Sequence, residues 1–279
     1  MGKKYIYVNL KRFDIPKESG GVNAMAPVEK WGSHIVENVV DELKKYPKDN
    51  YEFAVFFPEA HLISAVASNG KSSNLHIGCQ SVYRDDVTEG GNFGAFTTNR
   101  TAKSMKAMGV TSTIIGHCEE RNDKKGILKI AGVDDMSSVN ILLNQEIIAA
   151  QKAGLKVLYC IGETSEEQPR WKEVLKEQLE VGLKNVDKDQ IVIAYEPVWA
   201  IGPGKTPPGA EYISEISSFI KEVSGNMPVV YGGGLKSDNA AMLASIDTID
   251  GGLIALTKFT GDIGFYPDEY LEILSLYTK

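Results

Sequence analysis

Four polar residues stand where short apolar runs end: Asn9 and Lys11 in VNLKRFD, His117 in TSTIIGHCEER, and Glu196 in IVIAYEPVWAIG. A carboxylate directly behind a buried run is partly desolvated, which raises its pKa toward the operating pH and suits it to general-base work. Pro197 stiffens the exit from that run, and the segment behind it carries Gly202 and Gly204, so it can close over a site. The plainer role of Glu196 is to cap the next helix. His117 precedes a helix N-terminus, whose dipole favours a neutral, proton-donating imidazole; a structural histidine is the ordinary alternative. Lys11 would ordinarily be a solvated lysine, but behind a strand and beside Asn9 it could offer a fixed positive charge to an anionic ligand.

Two glycine-rich stretches invite a nucleotide reading that fails on spacing. GPGKT at 202–206 imitates the end of a phosphate-binding loop, but that motif requires glycine at position 199, where Trp199 stands. YGGGL at 231–235 lacks the GxGxxG spacing. Both stretches still suit close backbone approach to an oxyanion, phosphate above all.

The elements that must hold these residues alternate along 279 residues. Short β-rich apolar runs fall at 5–9, 53–57, 75–81, 112–116, 156–161, 190–195, 228–231 and 249–256, with segments of helical period between them. In 171–183, Val174, Leu175, Leu179 and Leu183 form one stripe; in 210–223, Ile213, Ile216, Phe219, Ile220 and Val223 form another. Some eight strand–helix units predict a parallel α/β fold, a single-domain (β/α)8 barrel over 1–279, with an open doubly wound sheet as the rival. In a barrel, chemistry gathers on the loops after strand C-termini, where Asn9, Lys11, His117, Glu196 and Tyr231 all fall.

Composition narrows the partners. A net charge of −7 argues against nucleic acid and anionic membrane as partners, since both need a broad basic patch, yet it permits a small anion. Cys79, Cys118 and Cys160 lie far apart without metal-ligand spacing, and read as reduced thiols of a cytoplasmic protein. No metal and no cofactor are expected. The N-terminus lacks the apolar stretch of a secretion signal, Ile6 stands where a myristoylation motif needs Ser or Thr, and no run reaches membrane-span length.

Together these residues resemble the triosephosphate isomerase family. The resemblance is carried by Asn9-x-Lys11, GHCEER at 116–121, CIGE at 160–163, AYEPVWAIG-x-GKT at 194–206, YGG at 231–233, and GAFT at 94–97. It implies, as a well-described division of labour and not a new derivation, that Glu196 shuttles a proton between two carbons of an α-hydroxycarbonyl. His117 would then polarise the oxygens of the enediolate, Lys11 would stabilise its charge with help from Asn9, and Glu119 would sit beside Lys11. The 197–206 loop would close over a small phosphorylated sugar and exclude water, which suppresses loss of phosphate from the intermediate. By the same resemblance the protein is a homodimer, with Thr97 on the loop that reaches the neighbouring subunit.

The phosphate end departs from the family pattern. The family binds phosphate with backbone N–H groups of the closing loop, of a serine after YGG, and of a Gly-Gly pair after the eighth strand. Gly202 and Gly233 remain, but Gly234 stands for the serine, and ungapped alignment puts Ala255 and Leu256 on the pair. Pro203 replaces a threonine, and Pro207 occupies a position whose N–H the YGG tyrosine, Tyr231, would bind in the closed state. The Tyr231 latch and a second latch, whose hydroxyl Gly234 removes, lost at roughly 1 kcal/mol each, would shift a lid equilibrium by about thirtyfold. Thr257 and Lys258 are the expected compensation, binding the anion by side chain. The first loop, RFDIPKESGGVN, and an insertion-like stretch at 259–267 could reshape the distal end. Glu120 and Cys118 stand for an arginine and a serine. The default reaction is interconversion of glyceraldehyde 3-phosphate and dihydroxyacetone phosphate. The alternatives are the same chemistry on another small sugar phosphate, such as a four-carbon ketose phosphate, or a non-catalytic metabolite-binding barrel.

Overall fold

A computed structural model describes residues 2–70, 74–133, 135, 137–202 and 204–279. Eight strands are all parallel to their neighbours: β1 (Lys4–Asn9), β2 (Tyr51–Phe57), β3 (Leu75–Gln80), β4 (Ser112–Ile115), β5 (Lys156–Ile161), β6 (Ile191–Tyr195), β7 (Val229–Tyr231) and β8 (Gly251–Ile254). They run in sequence order, and β8 returns to β1 through Tyr5↔Gly251 to Val8↔Ile254, so the sheet closes into a barrel. The open-sheet rival is excluded. The helices among the described residues are α1 (Val28–Leu43), α2 (Leu62–Asn69), α3 (Ala102–Ala107), α4 (Cys118–Ile130), α5 (Ser137–Lys152), α6 (Trp171–Gly182), α7 (Ala210–Ser224), α8 (Ala240–Ala244) and α9 (Pro267–Tyr277). None of them is long and apolar enough to cross a membrane.

Two apolar layers follow from the period-two alternation of strand side chains. Tyr7, Ala54, Phe56, Ile114, Leu158, Cys160, Val192, Ala194, Val230 and Leu253 fill the barrel interior. Their sequence neighbours, such as Ile6, Val8, Phe53, Val55, Phe57, Ile193 and Tyr195, face outward onto the helices. The stripes read from sequence dock there: Val174, Leu175 and Leu179 of α6, and Ile213, Ile216 and Ile220 of α7, are buried. The same parity carries past the strand ends. Asn9 follows Tyr7, Gln80 follows Gly78 and Glu196 follows Ala194, so each continues an inward-facing row at the C-terminal mouth.

At the opposite mouth the inward rows end in Glu52, His76 and Lys156. Glu52 accepts from the Tyr7 hydroxyl (2.8 Å) and pairs with Lys156 (2.7 Å) and Lys3 (3.1 Å). Burial alone would raise its carboxyl, but the Lys156 contact and the nearby His76 and Tyr7 bring it down to about 2. A paired carboxylate at the bottom of a barrel belongs to stability, because the loops that carry chemistry emerge at the top.

Candidate active site

Glu196 is 2% exposed, just beyond β6. Its Oε2 accepts from the backbone N–H of Cys118 (2.9 Å), and its Oε1 lies 3.2 Å from His117 Nε2. Burial raises its pKa; the proximity of His117, the Cys118 N–H and Lys11 only partly offset this. Gly232 makes that burial possible, since a Cβ there would come within 2.8 Å of Glu196 Cγ. The chain can bring a strand end this close to a carboxylate only where a side chain is missing.

His117 is the N-cap of α4, and the Glu119 N–H donates to its Nδ1 (3.3 Å). An accepting Nδ1 puts the proton of a neutral ring on Nε2, which then faces Glu196 as a donor. The turn before it is clamped from behind. Buried Arg121 donates to the carbonyls of Gly116 (2.9 Å) and Cys160 (2.9 Å) and to Asn140 (2.8 Å). Glu120 accepts from the Gly116 N–H (2.6 Å) and the Ser81 hydroxyl (2.6 Å) and pairs with Lys124, which also holds Glu146. Burial and the adjoining Glu120 push the Glu146 carboxyl up. The arginine-to-glutamate exchange at 120 is thus absorbed into a new hydrogen-bond network.

Lys11 adopts a left-handed backbone conformation (φ 41°), rare for a lysine. Two side chains hold it there: Asn9 Oδ1 accepts the Lys11 N–H (3.1 Å), and Gln80 donates to its carbonyl (3.0 Å). Its ammonium pairs with Glu119 (3.0 Å), so the acid expected beside it is there. Gln80 also donates to Asn9 Oδ1 (3.3 Å) and Phe56 O (3.3 Å), tying three strand ends together. Sequence reasoning missed Gln80, although strand parity marked it as inward-facing at the mouth.

Asn9, Lys11, His117 and Glu196 share one cavity of about 630 Å³. Gly202, Gly233 and Gly234 line it as well, and the N–H groups of Gly233 and Gly234 have no acceptor among the described residues. The start of the 197–206 loop is anchored by Glu163, buried, whose Oε1 accepts from Trp199 Nε1 (2.8 Å) and Tyr195 (2.9 Å). That role for the glutamate of CIGE was not foreseen. Tyr231 is buried with its hydroxyl unpartnered among the described residues, and Pro207, with no N–H to give, lines the same cavity. Pro203 lies outside the described residues.

The structure does not bring Thr257 and Lys258 into the cavity. A small antiparallel bridge, Lys258↔Gly264, folds the segment back on itself. Thr257 Oγ1 accepts the Tyr266 N–H (2.8 Å), while Lys258 faces Glu269 (3.8 Å) and the Tyr266 ring. β8 stops at Ile254, two residues before the end of its apolar run, and Ala255 and Leu256 turn into the cavity wall beside Phe259 and Ile263. Lys236 lines this cavity instead, a residue that sequence reasoning passed over. Thr97 is exposed on the loop between β3 and α3.

Among the described residues, the one grouping with metal-ligand proximity is His117, Cys118 and Glu196, with one ligand atom each within 4.8 Å of the others. Burial and the Glu196 charge push the Cys118 thiol up to about 12, so it stands as a neutral S–H and a poor metal ligand. A buried carboxylate facing an imidazole N–H donor, with a cation alongside, is instead equipped to move protons on and off a carbonyl compound.

Comparison with known proteins supplies the family. The family model described as triosephosphate isomerase matches residues 30–262. A triosephosphate isomerase of Treponema denticola is 34% identical over 250 residues, covering 85% of this chain and 90% of that protein. One from Leptospira biflexa is 34% identical over 223 residues, covering 74% and 81%. The crystal structure of triosephosphate isomerase from Bartonella henselae, 24% identical, superposes with a TM-score of 0.72 over 99% of this chain and 100% of that one, which speaks for the fold. The barrel, its cavity and these matches make the chain a member of the triosephosphate isomerase family, an isomerase of the intramolecular oxidoreductase class.

Proposed function

We propose that the protein interconverts an aldose and a ketose phosphate, by default glyceraldehyde 3-phosphate and dihydroxyacetone phosphate, through an enediolate. The observation that carries this reading is the 3.2 Å approach of His117 Nε2 to Glu196, with His117 Nδ1 occupied by the Glu119 N–H and Lys11 in the same cavity. Substrate would take the place of Glu196 as the acceptor of the His117 proton. Glu196 then removes a proton from the carbon beside the carbonyl while His117 Nε2–H protonates the carbonyl oxygen. His117 recovers a proton from the neighbouring hydroxyl, and Glu196 returns its own to the other carbon. No atom is gained or lost. Lys11 and Asn9 face the charge that develops on the oxygens, and Gly202, Gly233 and Gly234 offer backbone donors to the phosphoryl group.

A second substrate has a specific observation in its favour. The apolar wall of Leu256, Phe259 and Ile263 suits a sugar phosphate of different length, such as a four-carbon ketose phosphate. A cytoplasmic setting fits three buried free cysteines. A homodimer completes the proposal, through the loop that carries Thr97.

The test is conversion of glyceraldehyde 3-phosphate in deuterated water, followed by NMR, for the wild type, Glu196→Asp and His117→Gln. Each substitution is expected to lower turnover by about 10²–10⁴ while changing binding far less. Turnover unaffected by either change would overturn the proton-transfer assignment. Deuterium exchange without isomerisation would move the reading to the other sugar phosphate, and neither signal with any sugar phosphate would favour a binding barrel.

A further inference from the structure

The cavity has a second pole. Lys236 follows the YGG turn, and its ammonium lies 4.3 Å from the centroid of the Phe259 ring. Other lysines on this side have acidic partners, Lys17 with Asp262 and Lys258 with Glu269, whereas Lys236 has none among the described residues. Lys205 also lines the cavity without one, but it is exposed on the lid, where water serves it; Lys236 is half-buried against an aromatic face. Around it the wall offers Leu235, Leu253, Leu256 and Ile263, none with a polar side chain. A partly desolvated cation with no counter-charge, next to the unused N–H groups of Gly233 and Gly234, is an incomplete ion pair.

The backbone is arranged to allow this. Gly234 has φ +100°, a conformation that a side chain at this position would strain, and a Cβ on it would touch Lys236 Cε at 3.5 Å. The glycine that stands for the family's serine therefore does more than delete a hydroxyl. It turns the chain so that the Lys236 stem lies across it and the ammonium reaches the Phe259 ring. Phe259 in turn comes from the 259–267 stretch, whose fold-back is fixed by the Lys258↔Gly264 bridge. Three departures from the family pattern, at 234, 255–256 and 259–267, converge on one lysine.

We propose that Lys236 is the specificity-determining residue for the distal anion: its ammonium, positioned by Phe259, receives the phosphoryl group at the end of the cavity that Ala255 and Leu256 wall. The inference rests on the reading that this cavity takes a small phosphorylated sugar. It narrows the substrate to a phosphate monoester whose dianion meets a side-chain cation and whose neighbouring carbons lie along an apolar wall.

Two readouts keep this inference separate from the isomerase reading. The first is calorimetric titration of inorganic phosphate into wild type, Lys236→Met and Lys236→Arg, with circular dichroism to verify folding. Loss of a charge-assisted contact is expected to weaken phosphate binding about tenfold or more in Lys236→Met, with Lys236→Arg recovering most of it. The second is kcat/KM for glyceraldehyde 3-phosphate against unphosphorylated glyceraldehyde. Lys236→Met should lower the first at least about tenfold more than the second, a ratio that a general structural defect would not change. Lys236-dependent phosphate binding in a protein that does not isomerise the triose phosphate would remove the activity and leave this inference standing. Equal phosphate binding by wild type and Lys236→Met, or none by the wild type, would overturn it whatever the activity.

Discussion

Glu196, the proposed base, sits between burial that disfavours its charged form and neighbouring donors that favour it. Burial raises its carboxyl above the ordinary 4.5, and the His117, Cys118 N–H and Lys11 contacts draw it only part of the way back. The base must be deprotonated to act, so activity is lost as pH falls through the raised value. The acid limb of kcat/KM in the free enzyme is therefore expected above pH 4.5, and a limb at or below that value would mean that Glu196 is solvated before substrate arrives. Asn9 and Glu196 were legible because each follows an apolar run whose parity points it inward; His117 and Lys11 lie past that alternation and are placed by a helix N-cap and a left-handed turn. Lys236 was not, since no strand parity reaches it; a left-handed glycine and a distant phenylalanine decide where it goes. Thr257 and Lys258 misled for the complementary reason, because a bridge closed six residues later turns them away from the cavity.

Between β6 and α7 the lid is tied down at one end and untied at the other. Its root is held by the Trp199–Glu163 hydrogen bond, whereas the buried Tyr231 hydroxyl has no partner among the described residues and Pro207 has no N–H to offer it. An orphaned buried hydroxyl contributes nothing favourable, so Tyr231→Phe is expected to leave lid closure unchanged in the natural background. Pro207→Ala supplies the missing donor and should favour the closed lid by about 1 kcal/mol, tightening substrate binding about fivefold. In that background Tyr231→Phe should abolish the gain. A double-mutant cycle on KM removes the unfolded-chain effect of replacing proline, and a coupling near zero would show that this tyrosine is no latch at all. The tie at Glu163 escaped sequence reading because its donors, Tyr195, Trp199 and Tyr212, come from three successive elements and meet only when the barrel closes.

Eight alternating strand–helix units already favoured a closed barrel over an open sheet, the order of the family motifs strengthened that reading, and the pairing of β8 with β1 bears it out. What the single barrel leaves open is one side of its site. A cavity of about 920 Å³ adjoins the first, sharing Asn9, Lys11, Phe13 and His117 and extending over Tyr83, Arg100 and Ile127. Beside it the 83–100 loop stands out from the surface but is internally braced: the Tyr83 N–H donates to Arg100 O (2.7 Å), and Asn92 donates to Asp86 O (3.0 Å). At its tip Phe93 is 86% exposed in a left-handed conformation (φ 54°), a large apolar group held in water by a rigid arm. In the homodimer proposed above, each copy would place its loop in the other's open cavity across a two-fold axis. Insertion there would exclude water from the Lys11–Glu119 pair and fix the strained Lys11 backbone from its open side. Light scattering should accordingly give twice the 30.5 kDa chain mass, and Phe93→Asp should shift the species toward monomer and lower kcat together. A fully active 30.5 kDa monomer would show that the barrel completes its own site, with the exposed phenylalanine serving some other contact.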